Sequence, residues 1–139
     1  MEESLNHLRN HFPLDEKEIR TYSALSFAYI GDAVFDLVIR TMMVTKGNVR
    51  TNKYHQKVTD IVNAASQTRM AERILPSLSE EETTIFRRGK NAKPMSMAKN
   101  QSRHDYRIAT AYETLIGYLY LNGRMDRIIE LVEMGLEEE

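Results

Sequence analysis

Apolar side chains recur at intervals of three and four residues along most of the chain, which is the spacing of one face of an α-helix. A clear example in the first half is the set Phe27, Ile30, Val34, Leu37 and Val38. The sequence contains no sustained alternation of apolar and polar residues, which is the signature of a half-buried strand. The pattern therefore predicts an all-α fold.

Capping residues and helix breakers divide this pattern into segments. Asp15 is followed three residues later by Glu18, and Ser79 by Glu82, which is the spacing of a capping box at a helix start. The first predicted helix is short and is closed by Pro13, and a helical region then leads from residue 15 towards residue 39, with a break after it near Gly47. One or two helices follow over 51–75 and stop at Pro76, and another over 79–89 ends at Gly89. The last two are a helix over about 106–121, ended by Asn122 and Gly123, and one that carries Met125, Ile128, Ile129 and Val132.

The segment 89–102, GKNAKPMSMAKNQS, has no apolar period and contains a proline. We predict a loop here that is long for a chain of this size, and such loops are usually functional or disordered.

Glu113 lies in the most apolar of the predicted helices. Between residues 108 and 121 the only other non-aromatic polar side chains are Thr110 and Thr114, so most faces of this helix are apolar and the helix is expected to be buried. Glutamate is rarely buried without a partner, because removing its charge from water is costly. Glu113 therefore needs a partner from another part of the fold, or a metal ion.

Asp32 presents the same problem in the helix SFAYIGDAVFDLVIR, since no basic residue lies three or four positions away. Asp36 differs, because Arg40 lies four residues on and predicts an ordinary surface pair. One interpretation is that Asp32 and Glu113 share Mg²⁺ or Mn²⁺, which favour oxygen ligands. The other is a buried network in which each acid binds a tyrosine or a backbone amide.

Composition and charge limit the classes of protein that fit. The 139 residues include no cysteine, which excludes disulfides and thiolate metal sites, and mean hydropathy is −0.49. The acidic, polar start and the lack of any bilayer-length apolar run predict one soluble, cytoplasmic domain without a secretory signal or membrane partner. Although net charge is −1, residues 37–59 hold five basic residues and no acid, and residues 83–104 hold six and no acid. Such segregation indicates either a surface for a polyanion or simply solvated faces.

Two motifs resemble those of the ribonuclease III family. YIGDAVFDLV is similar to its signature helix, and YETLIGYLYL to its second motif. The segments RRGKNAK and YRIATAYE most resemble Mini-ribonuclease III, the short branch made of the nuclease domain alone. The resemblance covers nearly the whole chain and implies the all-α endonuclease-domain fold, residues 1–139 as a single nuclease domain without a double-stranded RNA-binding domain, and a two-fold homodimer.

The resemblance also implies the chemistry. Asp32 matches the signature aspartate and Glu113 the glutamate of the second motif, which in the family bind the catalytic Mg²⁺, with Mn²⁺ as a substitute. The expected reaction is hydrolysis of double-stranded RNA to 5′-phosphate and 3′-hydroxyl ends. The expected substrate is precursor 23S ribosomal RNA, matured at its ends with the assistance of a large-subunit ribosomal protein.

Three departures from the larger relatives bear on the site. Those relatives carry further acids at the positions of Leu25, Ala28 and Thr110, which leaves the number of metal ions open. An alternative is therefore a non-catalytic RNA-binding or structural protein on the same fold. Without an RNA-binding domain, phosphate contacts would come from the two basic stretches. The predicted RNA-binding residues are Lys53, Lys57, Arg87, Arg88, Lys90, Lys93, Lys99 and Arg103.

Overall fold

The computed structural model describes residues 2–92 and 103–136, and all regular structure in these ranges is helical. The all-α prediction is confirmed. The helices are α1 (Glu2–His11), α2 (Glu16–Thr21), α3 (Ala24–Lys46), α4 (Thr51–Ile61), α5 (Ala64–Ile74), α6 (Glu80–Lys90), α7 (Arg103–Leu121) and α8 (Met125–Leu136), with one 3-10 turn, Leu75–Ser77, after α5.

Both predicted capping boxes are present. At the start of α2 the Asp15 carboxylate accepts a hydrogen bond from the Glu18 backbone N–H at 2.8 Å, and the Glu18 carboxylate accepts one from the Asp15 N–H. The equivalent pair at the start of α6 is Ser79 with Glu82. A break that the pattern did not predict separates α2 from α3, where Ser23 caps the new helix by accepting from the Ser26 N–H.

Helix α7 is the centre of the packing and contacts α3, α5, α6 and α8. Its side chains Tyr112, Leu115, Ile116 and Leu119 are all fully buried, which confirms the expectation drawn from its apolar faces. The most extensive contact between any two described helices is that of α3 with α7. Phe27, on the buried face of α3, packs edge-on against the ring of Tyr118.

The prediction that Gly89 ends the helix over 79–89 is wrong. Helix α6 continues through Lys90, and Gly89 lies buried within it. A Cβ atom at Gly89 would lie 2.5 Å from the Thr114 Oγ1 and 2.7 Å from the Ala111 Cα. The glycine therefore permits close approach of α6 to α7. The first two residues of the predicted loop, Gly89 and Lys90, belong to α6. The part of the loop over 93–102 lies outside the described residues.

Candidate active site

Asp32 on α3 and Glu113 on α7 are brought together by a direct contact between the backbones of the two helices. A Cβ atom at Gly31 would lie 1.9 Å from the Glu113 carbonyl oxygen, and one at Gly117 would lie 1.9 Å from the Phe27 carbonyl oxygen. No larger residue fits at either position without separating the helices. Because the residue after Gly31 is Asp32, this contact places the two acids side by side.

The two carboxyl groups are close enough for a hydrogen bond, and their environments differ. The side chain of Asp32 is exposed, whereas Glu113 is partly buried. Burial, followed by the hydrogen bond and the negative charge of Asp32, raises the pKa of Glu113 to about 8. A carboxyl group in this state either holds a proton or needs a cation.

Gln67 is the third member of the site, and we did not predict it from the sequence. It lies on α5 with only 4% of its surface exposed, and its Nε2 donates to the Glu113 Oε2 over 3.5 Å. A signal for it was present, because Met70, Ala71 and Ile74 follow at helical spacing and are buried. A polar residue on that stripe is a buried amide, which requires a hydrogen-bond partner.

The donor chemistry of this group suits a hard divalent cation. Carboxylate oxygens are the ligands that Mg²⁺ and Mn²⁺ prefer, and a cation held by Asp32 and Glu113 would offset the repulsion that raises the pKa of Glu113. Within residues 2–92 and 103–136 no third acidic, histidine or cysteine side chain completes a metal-binding cluster with them. The Thr110 hydroxyl, one turn before Glu113 on α7, donates to the Tyr106 carbonyl.

Asp36, one helical turn beyond Asp32, is held apart from this group. Its carboxylate accepts from the Arg40 Nε at 2.9 Å, which confirms the predicted surface pair. Among the described residues, the acid on α3 for which no ion pair is formed is therefore Asp32, as the sequence indicated.

Six of the eight predicted RNA-binding residues lie on three described helices. Lys53 and Lys57 are exposed on α4, Arg87 and Arg88 on the last turn of α6, and Arg103 at the start of α7. Lys90 is half-buried, and Lys93 and Lys99 lie outside the described residues.

Arg88 has contacts within the chain as well. It donates to the Tyr22 carbonyl at 2.8 Å and lies over the Phe27 ring. Gly89 packs directly against Ala111 and Thr114 of α7. The basic end of α6 therefore contacts the turn of α7 that carries Glu113.

A separate cleft of about 500 Å³ lies between α3, α4, α5 and α8, with Met42, Lys57, Arg69 and Leu136 among its lining residues. It includes neither Asp32 nor Glu113. The exposed side of the acid pair is reached directly from solvent through Asp32, which suits a substrate as large as a nucleic-acid duplex.

Comparison with known proteins decides the family. The model of the ribonuclease III domain matches residues 25–124, a range that contains Asp32, Gln67 and Glu113. The chain belongs to the ribonuclease III family. Membership makes it an endoribonuclease with RNA as its substrate.

Individual relatives place the chain in the short branch of this family. It is 43% identical over 111 residues to the Mini-ribonuclease 3 of Brevibacillus brevis, which covers 80% of this chain and 83% of the relative. It is 38% identical over 138 residues to the Mini-ribonuclease 3 of a Thermoanaerobacter species, which covers 99% and 97%. The recognition of the Mini-ribonuclease III branch from sequence motifs is confirmed.

A solved structure supports the ribonuclease III fold. A crystal structure of a Fusobacterium nucleatum protein, 31% identical, superposes with a TM-score of 0.77 over 86% of this chain and 95% of that one. Among the described residues, no helix is both long and apolar enough to cross a membrane.

Proposed function

We propose that the chain is a cytoplasmic, Mg²⁺-dependent endoribonuclease that cleaves double-stranded RNA at Asp32 and Glu113. The observation that carries the proposal is the contact of these two carboxyl groups at a glycine-mediated helix crossing, with the pKa of Glu113 raised to about 8. Such a pair is costly for the fold, and costly acid pairs are typical of functional sites.

In this proposal Asp32 and Glu113 hold the metal ion, and Mn²⁺ substitutes for Mg²⁺. When bound, the ion supplies Lewis-acid stabilisation of the phosphate and lowers the pKa of a hydrolytic water. With two protein carboxylates per chain, the other coordination positions are left to water and RNA phosphate, as is usual for Mg²⁺. The side chains of Asp32 and Glu113 themselves concentrate negative charge at one point. Asp32 exposes that charge to solvent.

The test is cleavage of a long RNA duplex in Mg²⁺ by the wild type and by Asp32→Asn and Glu113→Gln. Each substitution should lower kcat by about 100-fold or more. Asp36→Asn is the matched control, because it removes a carboxylate from the same helix that is already paired with Arg40, and it should cleave normally. Duplex binding without cleavage by the wild type would favour the non-catalytic alternative. Normal cleavage by both site variants would reject the site.

Phosphate contacts on the duplex are proposed to come from the basic residues named above, because A-form RNA is recognised mainly by shape and backbone. A double Arg87→Ala, Arg103→Ala variant should bind duplex more weakly and with a shallower salt dependence, by about one unit of log–log slope per lost contact. Lys17→Ala with Arg20→Ala, on α2, is the charge-matched control. Equal slopes for the two double variants would remove these residues from the RNA surface.

The proposed homodimer is supported by one face of α3. Phe27 and Val34 of α3 are buried within the chain, as is Tyr118 on α7, and Ile30 is half-buried. The large exposed apolar residues of α3 form a stripe on one side of the helix, next to Asp32, and are Tyr29 (84% exposed), Leu37 (44%) and Val44 (57%).

Sedimentation equilibrium tests this surface. Leu37→Glu should convert a dimer to a monomer, whereas Leu8→Glu, at a similarly exposed leucine (48%) on α1, should not. A wild type that sediments as a monomer contradicts the dimer, and a dimeric Leu37→Glu variant places the interface elsewhere. Maturation of precursor 23S ribosomal RNA with a large-subunit ribosomal protein is the further expectation, and it rests on the family resemblance.

A further inference from the structure

Gln67 is a buried polar side chain whose hydrogen-bond partner, within the described part of the chain, is Glu113. A buried amide without a partner costs free energy, and most buried amides serve the nearby backbone. Gln67 instead reaches across from α5 to a carboxylate on α7, 46 residues away in sequence. The contact is therefore specific to the acid pair.

Helix α5 holds Gln67 rigidly. The Asn63 side chain caps the helix by accepting from the Ser66 N–H at 2.9 Å, and the Ser66 hydroxyl donates to the Asp60 carbonyl of α4 at 2.7 Å. Thr68, the next residue, donates to the Ala64 carbonyl within α5. These bonds set the register of the helix, and sites built on rigid elements hold their geometry better than sites on loops.

The chemistry of the amide defines what it does for Glu113. The Nε2 group is only a donor, so the Glu113 oxygen that it contacts acts as an acceptor, and the contact favours one orientation of the carboxylate. A site with only two carboxylates depends on their orientation more than a site with four.

We propose that Gln67 is a positioning residue that holds the Glu113 carboxylate in the orientation in which it binds a divalent cation together with Asp32. This inference rests on the proposed metal-dependent function of the same site. Residues that orient a metal ligand typically change metal affinity or activity by about 10- to 100-fold when they are replaced.

The test compares Gln67→Met, which keeps the length of the side chain and removes the donor, with Gln56→Met at an exposed position on α4. Mn²⁺ binding to the protein without RNA is measured by electron paramagnetic resonance, and duplex cleavage gives kcat and KM. Gln67→Met should bind Mn²⁺ about 10-fold more weakly and lose about 10- to 100-fold in kcat, with KM for RNA unchanged. Gln56→Met should match the wild type in all three.

Unchanged Mn²⁺ affinity and kcat in a folded Gln67→Met protein would overturn the proposal. If that variant does not fold, Gln67→Asn keeps the amide but shortens its reach. It should show the same loss of Mn²⁺ affinity, and wild-type affinity in it would again overturn the proposal. Asp32→Asn separates the two levels of inference. Mn²⁺ binding that is unaffected by Asp32→Asn would reject the metal site itself, and weakened binding in Asp32→Asn with normal binding in Gln67→Met would reject only the role of Gln67.

Discussion

Neutralising Glu113 should stabilise the metal-free protein at high pH. The raised pKa means that folded Glu113 binds a proton more tightly than the unfolded chain does. The bound proton therefore contributes to the free energy of unfolding. This contribution is fully present below pH 4.5, the ordinary pKa of the group, and is lost as pH rises through about 8. The wild type should therefore become less stable across this window, whereas Glu113→Gln, which has no proton to lose at this position, should not show that loss.

The magnitude follows from the size of the shift. Moving a carboxyl pKa from 4.5 to about 8 corresponds to about 5 kcal/mol if fully expressed. Glu113 is only partly buried, and solvent screening reduces the effect to about 2–3 kcal/mol. At pH 9 Glu113→Gln should thus exceed the wild type in free energy of unfolding by this amount, and at pH 4 the two should be nearly equal.

The assay is urea unfolding monitored by circular dichroism at several pH values from 4 to 9, in EDTA so that no divalent cation contributes. The difference between the two proteins isolates Glu113, because every other titrating group is common to both. Asp36→Asn is the control, because it removes a carboxylate of the same helix that is paired with Arg40 and not with Glu113. A difference between wild type and Glu113→Gln that does not change with pH would refute the electrostatic account of the site.

Three further predictions concern packing and ion pairs. Gly31→Ala should destabilise the fold by about 3 kcal/mol in urea unfolding, because its Cβ would meet the Glu113 carbonyl; a loss below about 1 kcal/mol would show that the helices can separate. Tyr112→Phe should leave stability equal or raise it by about 1 kcal/mol, because the buried Tyr112 hydroxyl has no hydrogen-bond partner among the described residues; clear destabilisation in a thermal melt would contradict this. Arg127→Met should cost about 2–3 kcal/mol at pH 7 and less at pH 3, because the arginine holds the pKa of buried Glu82 below its usual range and that stabilisation disappears as Glu82 is protonated; an equal cost at both pH values would contradict the pairing.

Local rules predicted much of the fold. The capping boxes at Asp15 and Ser79 form as expected, because they involve residues three positions apart. The predicted helix end at Gly89 is wrong because a glycine near the end of an apolar period commonly marks the end of a helix. Its actual function is to let Thr114 approach from α7, which is a long-range contact that no local pattern contains.

The candidate site was predicted in part for the same reason. Asp32 and Glu113 stood out because each lacks a local partner in an apolar helix, and the structure brings them together. The helical period gave the face of α5 on which Gln67 lies, but its contact with Glu113 depends on how α5 packs against α7. Glu82 was predicted only as a cap, and its ion pair with Arg127 likewise depends on the position of α8.

The contact between α3 and α7 at Gly31 and Gly117 allows core side chains to change in evolution while the site keeps its arrangement. Where two helices meet through their main chains, the spacing between the acids does not depend on the size of the surrounding apolar side chains. We expect that exchanging large residues elsewhere, such as Leu115 or Ile128, for others of similar volume moves one carboxylate little relative to the other. We therefore expect relatives that share only about two fifths of the residues of this chain to differ more in core packing than in the spacing of the two acids.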